Sequence, residues 1–95
     1  MRLMWLPYFH GEHWVGCIQI ARKGNCWVAA DMKPDRSLVF EIQSVVASPG
    51  REEAAAQNLL KHVAQWLAQS DCSWWPELDI GRTARAMVAM MQDSN

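Results

Sequence analysis

The sequence predicts an α+β fold, in which a four-stranded, mainly antiparallel sheet is followed by a long helix and a second, C-terminal helix. Two observations lead to this prediction. Four apolar, strand-like runs separated by turn-forming residues fill the first half of the chain. A long stretch with apolar residues at three- and four-residue steps follows them, and a shorter stretch of the same kind comes near the end.

The four strands are predicted at Arg2–Phe9, Trp14–Arg22, Asn25–Met32 and Leu38–Ala47. Pro7 cannot donate a ladder hydrogen bond, so the first strand is expected at an edge of the sheet or to end near that residue. Lys23-Gly24 is a two-residue hairpin signal. The segment from Lys33 to Ser37 predicts the turn before the fourth strand.

The hairpin closed by Lys23-Gly24 would place Cys17 opposite Ala30, and alternation then sorts its side chains onto two faces. One face is mostly small and apolar, and we expect the long helix to pack on it: Val15, Cys17, Gln19, Ala21, Cys26, Val28, Ala30 and Met32. The second face is apolar too: Trp14, Ile18, Ile20, Trp27 and Ala29. In the fourth strand one face is apolar (Leu38, Phe40, Ile42 and Val46) and the other more polar (Val39, Glu41, Gln43 and Val45). A sheet that is apolar on both faces needs cover on both, so the second face predicts contact with the last helix, a second copy or a foreign partner.

The segment Ser48–Ser70 predicts the long helix. Ser48 is expected to cap it and Pro49 to occupy its first position. No glycine marks its end at Ser70-Asp71. One apolar stripe runs along it: Ala56, Leu59, Leu60, Val63, Trp66 and Leu67. After a loop over 71–77, the second helix is predicted at Asp79–Gln92 with Asp79 as its cap, and its stripe is Ile80, Ala84, Met87, Val88 and Met91.

Composition restricts the class of protein. The 95 residues predict one domain, 1–95. The net charge of −1 argues against a strongly basic nucleic-acid binder and against an acidic mimic of DNA. The sequence shows no signal peptide and no run of membrane-spanning length, and its 3 cysteines are an odd number, so we expect a reduced, cytoplasmic protein that does not enter a membrane.

No pattern for catalysis or metal binding is found. His10, His13, Cys17 and Cys26 match no common zinc spacing, and the two cysteines are expected to lie about 13 Å apart along the hairpin. Cys72 has no nucleophile motif around it, and the chain offers neither paired carboxylates at a recognisable spacing nor a phosphate loop. The sequence therefore predicts a non-enzymatic protein without a cofactor or metal.

The 6 tryptophans point to binding instead. Trp74 and Trp75 form either a hot spot for a protein partner or a plug between helix and sheet. The residues predicted to contact a partner are Trp74, Trp75, Trp14, Trp27, Arg82 and Arg85. We expect a small protein-binding module that acts on a larger protein or nucleoprotein complex, similar by class alone to bacterial and phage inhibitors of the anti-CRISPR or antitoxin kind. A homodimer would satisfy the same apolar surface.

A nucleic-acid-binding module is the alternative function. Arg22, Lys23, Lys33 and Arg36 lie at predicted turns that could share one end of the sheet, and Arg82 and Arg85 lie on the last helix. With exposed tryptophans these cations could hold a backbone and stack on bases. Nearby acidic residues dilute the positive field, which makes nucleic acid the weaker expectation.

Overall fold

The computed structural model describes residues 3–33, 35, 39–75 and 78–93. Its elements are β1 (Leu3–His10), β2 (His13–Lys23), β3 (Cys26–Met32), β4 (Val39–Val46), α1 (Glu52–Gln69), β5 (Ser73–Trp74) and α2 (Ile80–Asp93). The predicted α+β class, an antiparallel sheet followed by a long and a C-terminal helix, is confirmed. The sheet has five strands rather than four, because β5 forms where the sequence predicts a loop. Arg2, Arg36, Leu38 and Pro76 lie outside the described residues, as do the side chains of Phe40 and Met91.

The sheet order is β4-β3-β2-β1-β5, and every neighbouring pair is antiparallel. β5 pairs with the end of β1, where Tyr8 lies opposite Trp74 and Phe9 opposite Ser73. The backbone N–H of Trp75 donates to the carbonyl of Pro7 at 3.3 Å. The nitrogen and the carbonyl of one strand residue point the same way, so the missing N–H of Pro7 faces the outer side of β1 and costs no bond to β2.

The turn between β2 and β3 is Gly24-Asn25, one residue later than predicted. Lys23 pairs with Cys26, and Gly24 takes a φ of +62°, which glycine adopts without strain. Cys17 consequently lies opposite Met32 instead of Ala30. A shift of two residues leaves each side chain on its predicted face, because the side-chain period of a strand is two.

Both helices cover the same face of the sheet, and it is not the face predicted for α1. The helices pack on large side chains of β2 and β3, including Ile18, Ile20 and Trp27. Neither of the two described helices lies on the face with Cys17 and Val28. The buried cluster is Tyr8, Ile18, Ile20, Trp27, Ala29, Ala47, Ala56, Leu59, Leu60, Val63, Leu67, Ala84 and Met87. Burying a large apolar side chain is worth about 1.5–3 kcal/mol, which small side chains cannot match, so the helices select the bulkier face.

Two irregularities in the strand pairing move side chains to the opposite face of the sheet, one near the start of β2 and one within β4. Between Tyr8 and Phe9 the register slips, so that Val15 packs against the core and Trp14 lies on the opposite face, the reverse of the prediction. A second slip, at Ala29 and Ala30, makes Val45 a core contact and leaves Val46 exposed, again the reverse. A bulge inserts one residue into one strand and so reverses the alternation beyond it.

The long helix begins later than predicted. Arg51 N–H donates to the Ser48 carbonyl at 2.9 Å and Gly50 has a φ of +81°, which is a turn of type II with Pro49 at its second position. Ser48 is therefore the first residue of a turn, and α1 starts at Glu52 without a side-chain cap.

The end of α1 is a Schellman motif. Asp71 has a φ of +58° in place of the usual glycine, Cys72 N–H donates to the Leu67 carbonyl at 2.9 Å, and Asp71 N–H donates to the Ala68 carbonyl at 3.1 Å. The predicted cap of α2 is confirmed: the Arg82 N–H donates to Asp79 Oδ1 at 3.1 Å. The end of α1 and the start of α2 thus hold both sides of the short segment that contains β5.

Candidate functional site

The face of the sheet opposite the helices, called the open face below, carries apolar side chains from four strands. Register places Trp5 and Pro7 beside Gln19 and Cys17, and these beside Ala30 and Met32. Within the described part of the chain, no helix covers this side. Among the residues whose side chains the structure describes, the exposed large apolar ones are Trp5 at 45%, Trp14 at 51%, Val46 at 59% and Trp75 at 58%.

Three aromatic residues cluster at one end of the open face. Phe9 pairs with Trp14 across β1 and β2, and its ring meets that of Trp75 edge to face, with centroids 5.5 Å apart and planes at 65°. Trp14 Nε1 donates to the Gly16 carbonyl at 2.8 Å, which fixes the indole. Trp5 lies four residues from Phe9 along β1, or about 13 Å. We call Trp5, Phe9, Trp14 and Trp75 the aromatic row.

The exposed area of this row is costly to leave in water. A tryptophan side chain offers about 150–250 Å² to bury, and close to half of that is exposed in Trp5, Trp14 and Trp75. At about 25 cal/mol per Å², covering one of these indoles is worth roughly 2–3 kcal/mol before the costs of association. Three such side chains on one face of the sheet are the composition of a binding hot spot.

The structure separates the six residues predicted to contact a partner. Trp14 and Trp75 lie in the aromatic row, whereas Trp74 is partly buried and packs against the core. Trp27 is fully buried beneath the helices, which removes it from the candidate surface. Arg82 and Arg85 are exposed on α2, in the layer on the other side of the sheet. The plug interpretation thus describes Trp74, whereas Trp75 is exposed, as the hot-spot interpretation requires.

Trp5 belongs to the surface although sequence reasoning did not select it. Residues 3–9 are apolar at every position, so alternation could not show which of them face away from the core. The signal that identifies Trp5 is its pairing with Gln19, the polar residue on the small-residue side of β2.

A pocket of about 230 Å³ lies beside the aromatic row, where the turn between β1 and β2 meets β5. Its lining residues are Phe9, Gly11, Glu12, Ser73, Trp74 and Trp75. Gly11 has a φ of +62°, and a Cβ built on it would meet no atom within 4 Å, so the pocket is open on that side. Glu12 is exposed, and no cation pairs with it among the residues that the structure describes.

A second polar feature is buried in the core. The Tyr8 hydroxyl donates to Asp31 Oδ1 at 2.6 Å, and Lys33 Nζ lies 3.3 Å from Asp31 Oδ2 at an ion-pair distance. Tyr8 reaches Asp31 across β2 because Gly16, its partner there, has no side chain: a Cβ would lie 2.7 Å from the Tyr8 oxygen. Burial, and then the hydrogen bond to Asp31, raise the pKa of the Tyr8 phenol well above its usual value. Lys33 reaches this pair from a half-exposed position, so one oxygen of the buried Asp31 carboxylate accepts from Tyr8 and the other lies beside a cation.

The three described cations of the predicted nucleic-acid interface do not share one end of the sheet. Arg22 and Lys23 flank the turn between β2 and β3, whereas Lys33 follows the far end of β3. The seven residues of β3 separate these sites, which is about 23 Å. Lys33 is also engaged by Asp31. The fourth cation of the predicted group, Arg36, lies outside the described residues.

Within the described residues no three metal-ligating side chains come together. Cys17, Cys26 and Cys72 are free thiols. Neither described helix has the length and apolarity needed to cross a membrane. Comparisons with protein-family models, with curated proteins and with solved structures found no match.

Proposed function

We propose that this chain is a small non-enzymatic module that binds a larger protein or nucleoprotein complex through the open face, and that it acts as an inhibitor by occupying a surface of that partner. The observation that supports the proposal is the one-sided packing. Both helices lie on one side of a sheet that is apolar on two sides, and the uncovered side carries three tryptophans that are close to half exposed.

The pattern of side chains on the open face also supports the proposal. The small side chains Ala21 and Val28 give a flat, closely packed centre, and the bulky indoles of Trp5 and Trp14 project beside it. The aromatic row supplies the rigid anchors that carry most of the free energy in protein interfaces. Glu41, on the β4 side of the same face, contributes to a polar rim.

The proposal is tested by capture on immobilised protein. The double variant Trp5→Ser, Trp75→Ser removes two anchors from the open face. A matched control, Lys61→Ala with Gln65→Ala, changes two exposed positions of α1 on the other side of the molecule. We expect the wild-type protein and the control to retain the same partner from a bacterial lysate and the double variant to lose it, with circular dichroism unchanged in all three.

Light scattering on the purified chain shows whether the open face is covered by a second copy of the chain or is left free for a foreign protein. A monomer that captures a partner through the open face supports the proposal. A stable dimer that the double variant dissociates would show that a second copy covers the face, and it would overturn the proposed binding of a foreign protein.

A further inference from the structure

We infer that the pocket lined by Phe9, Glu12, Trp74 and Trp75 receives the guanidinium group of an arginine side chain on the partner. The inference rests on the proposed function, because the pocket adjoins the aromatic row and shares Phe9 and Trp75 with it. A partner that covers the row therefore passes over the mouth of the pocket.

The ring geometry favours a cation. Phe9 and Trp75 stand at 65° to each other, and Trp74 also lines the pocket. The face of an aromatic ring carries negative potential, so rings that meet at a corner attract a positive group placed between them. A purely apolar group would gain from the same rings but would leave the carboxylate of Glu12 without a partner.

Glu12 supplies the full charge that the rings lack. It follows Gly11 in the turn and lines the pocket, and it has no ion pair with any described residue. Arginine can donate two parallel hydrogen bonds to a carboxylate while its plane lies on an aromatic ring. The ammonium group of lysine is more strongly hydrated and cannot stack, so the arrangement selects arginine over lysine.

The size of the pocket matches a side-chain terminus. Sites for drug-sized ligands enclose about 300–1,000 Å³, and this pocket has about 230 Å³. It therefore holds one group of a few heavy atoms, delivered by a chain that continues outside it. This is the geometry of an anchor residue in a protein interface.

The test uses N-acetyl-arginine methylamide as the probe and the corresponding citrulline compound, which has nearly the same shape and no charge. Nuclear magnetic resonance follows the indole N–H signals of Trp74 and Trp75, assigned with the variants Trp74→Phe and Trp75→Phe. We expect saturable shifts of these two signals with the arginine probe and at least about fivefold weaker binding of the citrulline probe.

Glu12→Gln keeps the size of the side chain and removes its charge, and we expect it to weaken arginine binding at least about fivefold. The matched control Glu53→Gln removes an exposed carboxylate on α1 and should leave the affinity unchanged. Equal binding of the citrulline probe, or full affinity in Glu12→Gln, would overturn the inference. In that case capture that still depends on Trp5 would leave the proposed function standing, so the two failures are distinguishable.

Discussion

Replacing Tyr8 by phenylalanine tests the buried cluster of the core. The change removes one oxygen and leaves the ring in place against Trp66, which it meets edge to face at 6.5 Å. It also removes the donor to Asp31 Oδ1, and Asp31 is fully buried. The 2.6 Å distance is typical of a hydroxyl that donates to a carboxylate.

The expected loss of stability follows from the hydrogen bond between Tyr8 and Asp31. A hydrogen bond to a charged group contributes about 1.5–3 kcal/mol, and the acceptor left behind stays desolvated. Lys33 remains 3.3 Å from the other carboxylate oxygen, but its side chain is 42% exposed and solvent screens the pair. We therefore expect Tyr8→Phe to lower the free energy of unfolding by about 3 kcal/mol. For a chain of this length that corresponds to a fall in Tm of roughly 12–20 °C.

Urea unfolding followed by tryptophan fluorescence measures the difference, provided that the slope against denaturant is the same for both proteins. Ser44→Ala, which removes an exposed hydroxyl on β4, is the control and should change stability by less than about 0.5 kcal/mol. A loss below about 1 kcal/mol in Tyr8→Phe would refute the reasoning, because it would mean that Asp31 gains another donor at no cost.

Three further predictions concern the backbone and the same phenol. Gly16→Ala should destabilise the protein by about 1–3 kcal/mol in thermal unfolding, since the new Cβ would lie 2.7 Å from the Tyr8 oxygen and 2.9 Å from a backbone carbonyl of β3. The control is Gly81→Ala, whose Cβ meets nothing closer than 3.5 Å and which should stabilise the protein by about 0.4–1 kcal/mol. Equal effects of the two substitutions would contradict the steric argument. Asp71→Gly should raise the free energy of unfolding by about 0.5–1 kcal/mol, because glycine adopts the φ of +58° without strain, and a decrease in urea unfolding would count against the helix-end assignment. The pKa of the Tyr8 phenol is higher in the folded than in the unfolded protein, where it is 10, and this difference stabilises the fold. The stabilisation is complete below pH 10. Above pH 10 the free energy of unfolding should fall by about 1.4 kcal/mol for each pH unit. The chain has 1 tyrosine, so tyrosinate absorbance reports this phenol alone. The absorbance should rise at the same pH as the protein unfolds. Ionisation of the phenol in the folded protein would disprove the prediction.

The elements with strong local patterns were predictable from the sequence. The stripe of α1 repeats every three or four residues from Ala56 to Leu67, and Leu59, Leu60 and Val63 are fully buried as that period requires. Asp79 signals the start of α2 through a side chain that bonds within its own turn. Such features depend on neighbours in the chain, so no knowledge of the tertiary structure is needed.

The remaining features depend on contacts between distant residues. β5 is two residues long and exists only because Tyr8 lies opposite Trp74. The choice of sheet face could not be made from alternation, since both faces are apolar, and the slips near Val15 and at Ile42 reverse the alternation without any marker in the sequence. The candidate surface was therefore predicted only in part: Trp14 and Trp75 are exposed, whereas Trp27 lies in the core.

The short strand β5 has a consequence for assembly. It occupies the outer edge of β1 only at Tyr8 and Phe9, next to Pro7, whose nitrogen has no hydrogen to donate. A strand from another molecule would find only residues 3–6 of this edge free of β5, and its ladder would lack the hydrogen bond that Pro7 cannot donate. In the described part of the chain, β4 instead ends the sheet with an eight-residue edge that no further strand occupies. A sheet with one receptive edge can pair with a second sheet across a two-fold axis, and that pairing uses the edge of both molecules. Filament growth needs two receptive edges, so Pro7 and β5, which shorten and weaken the β1 edge, favour pairs over filaments.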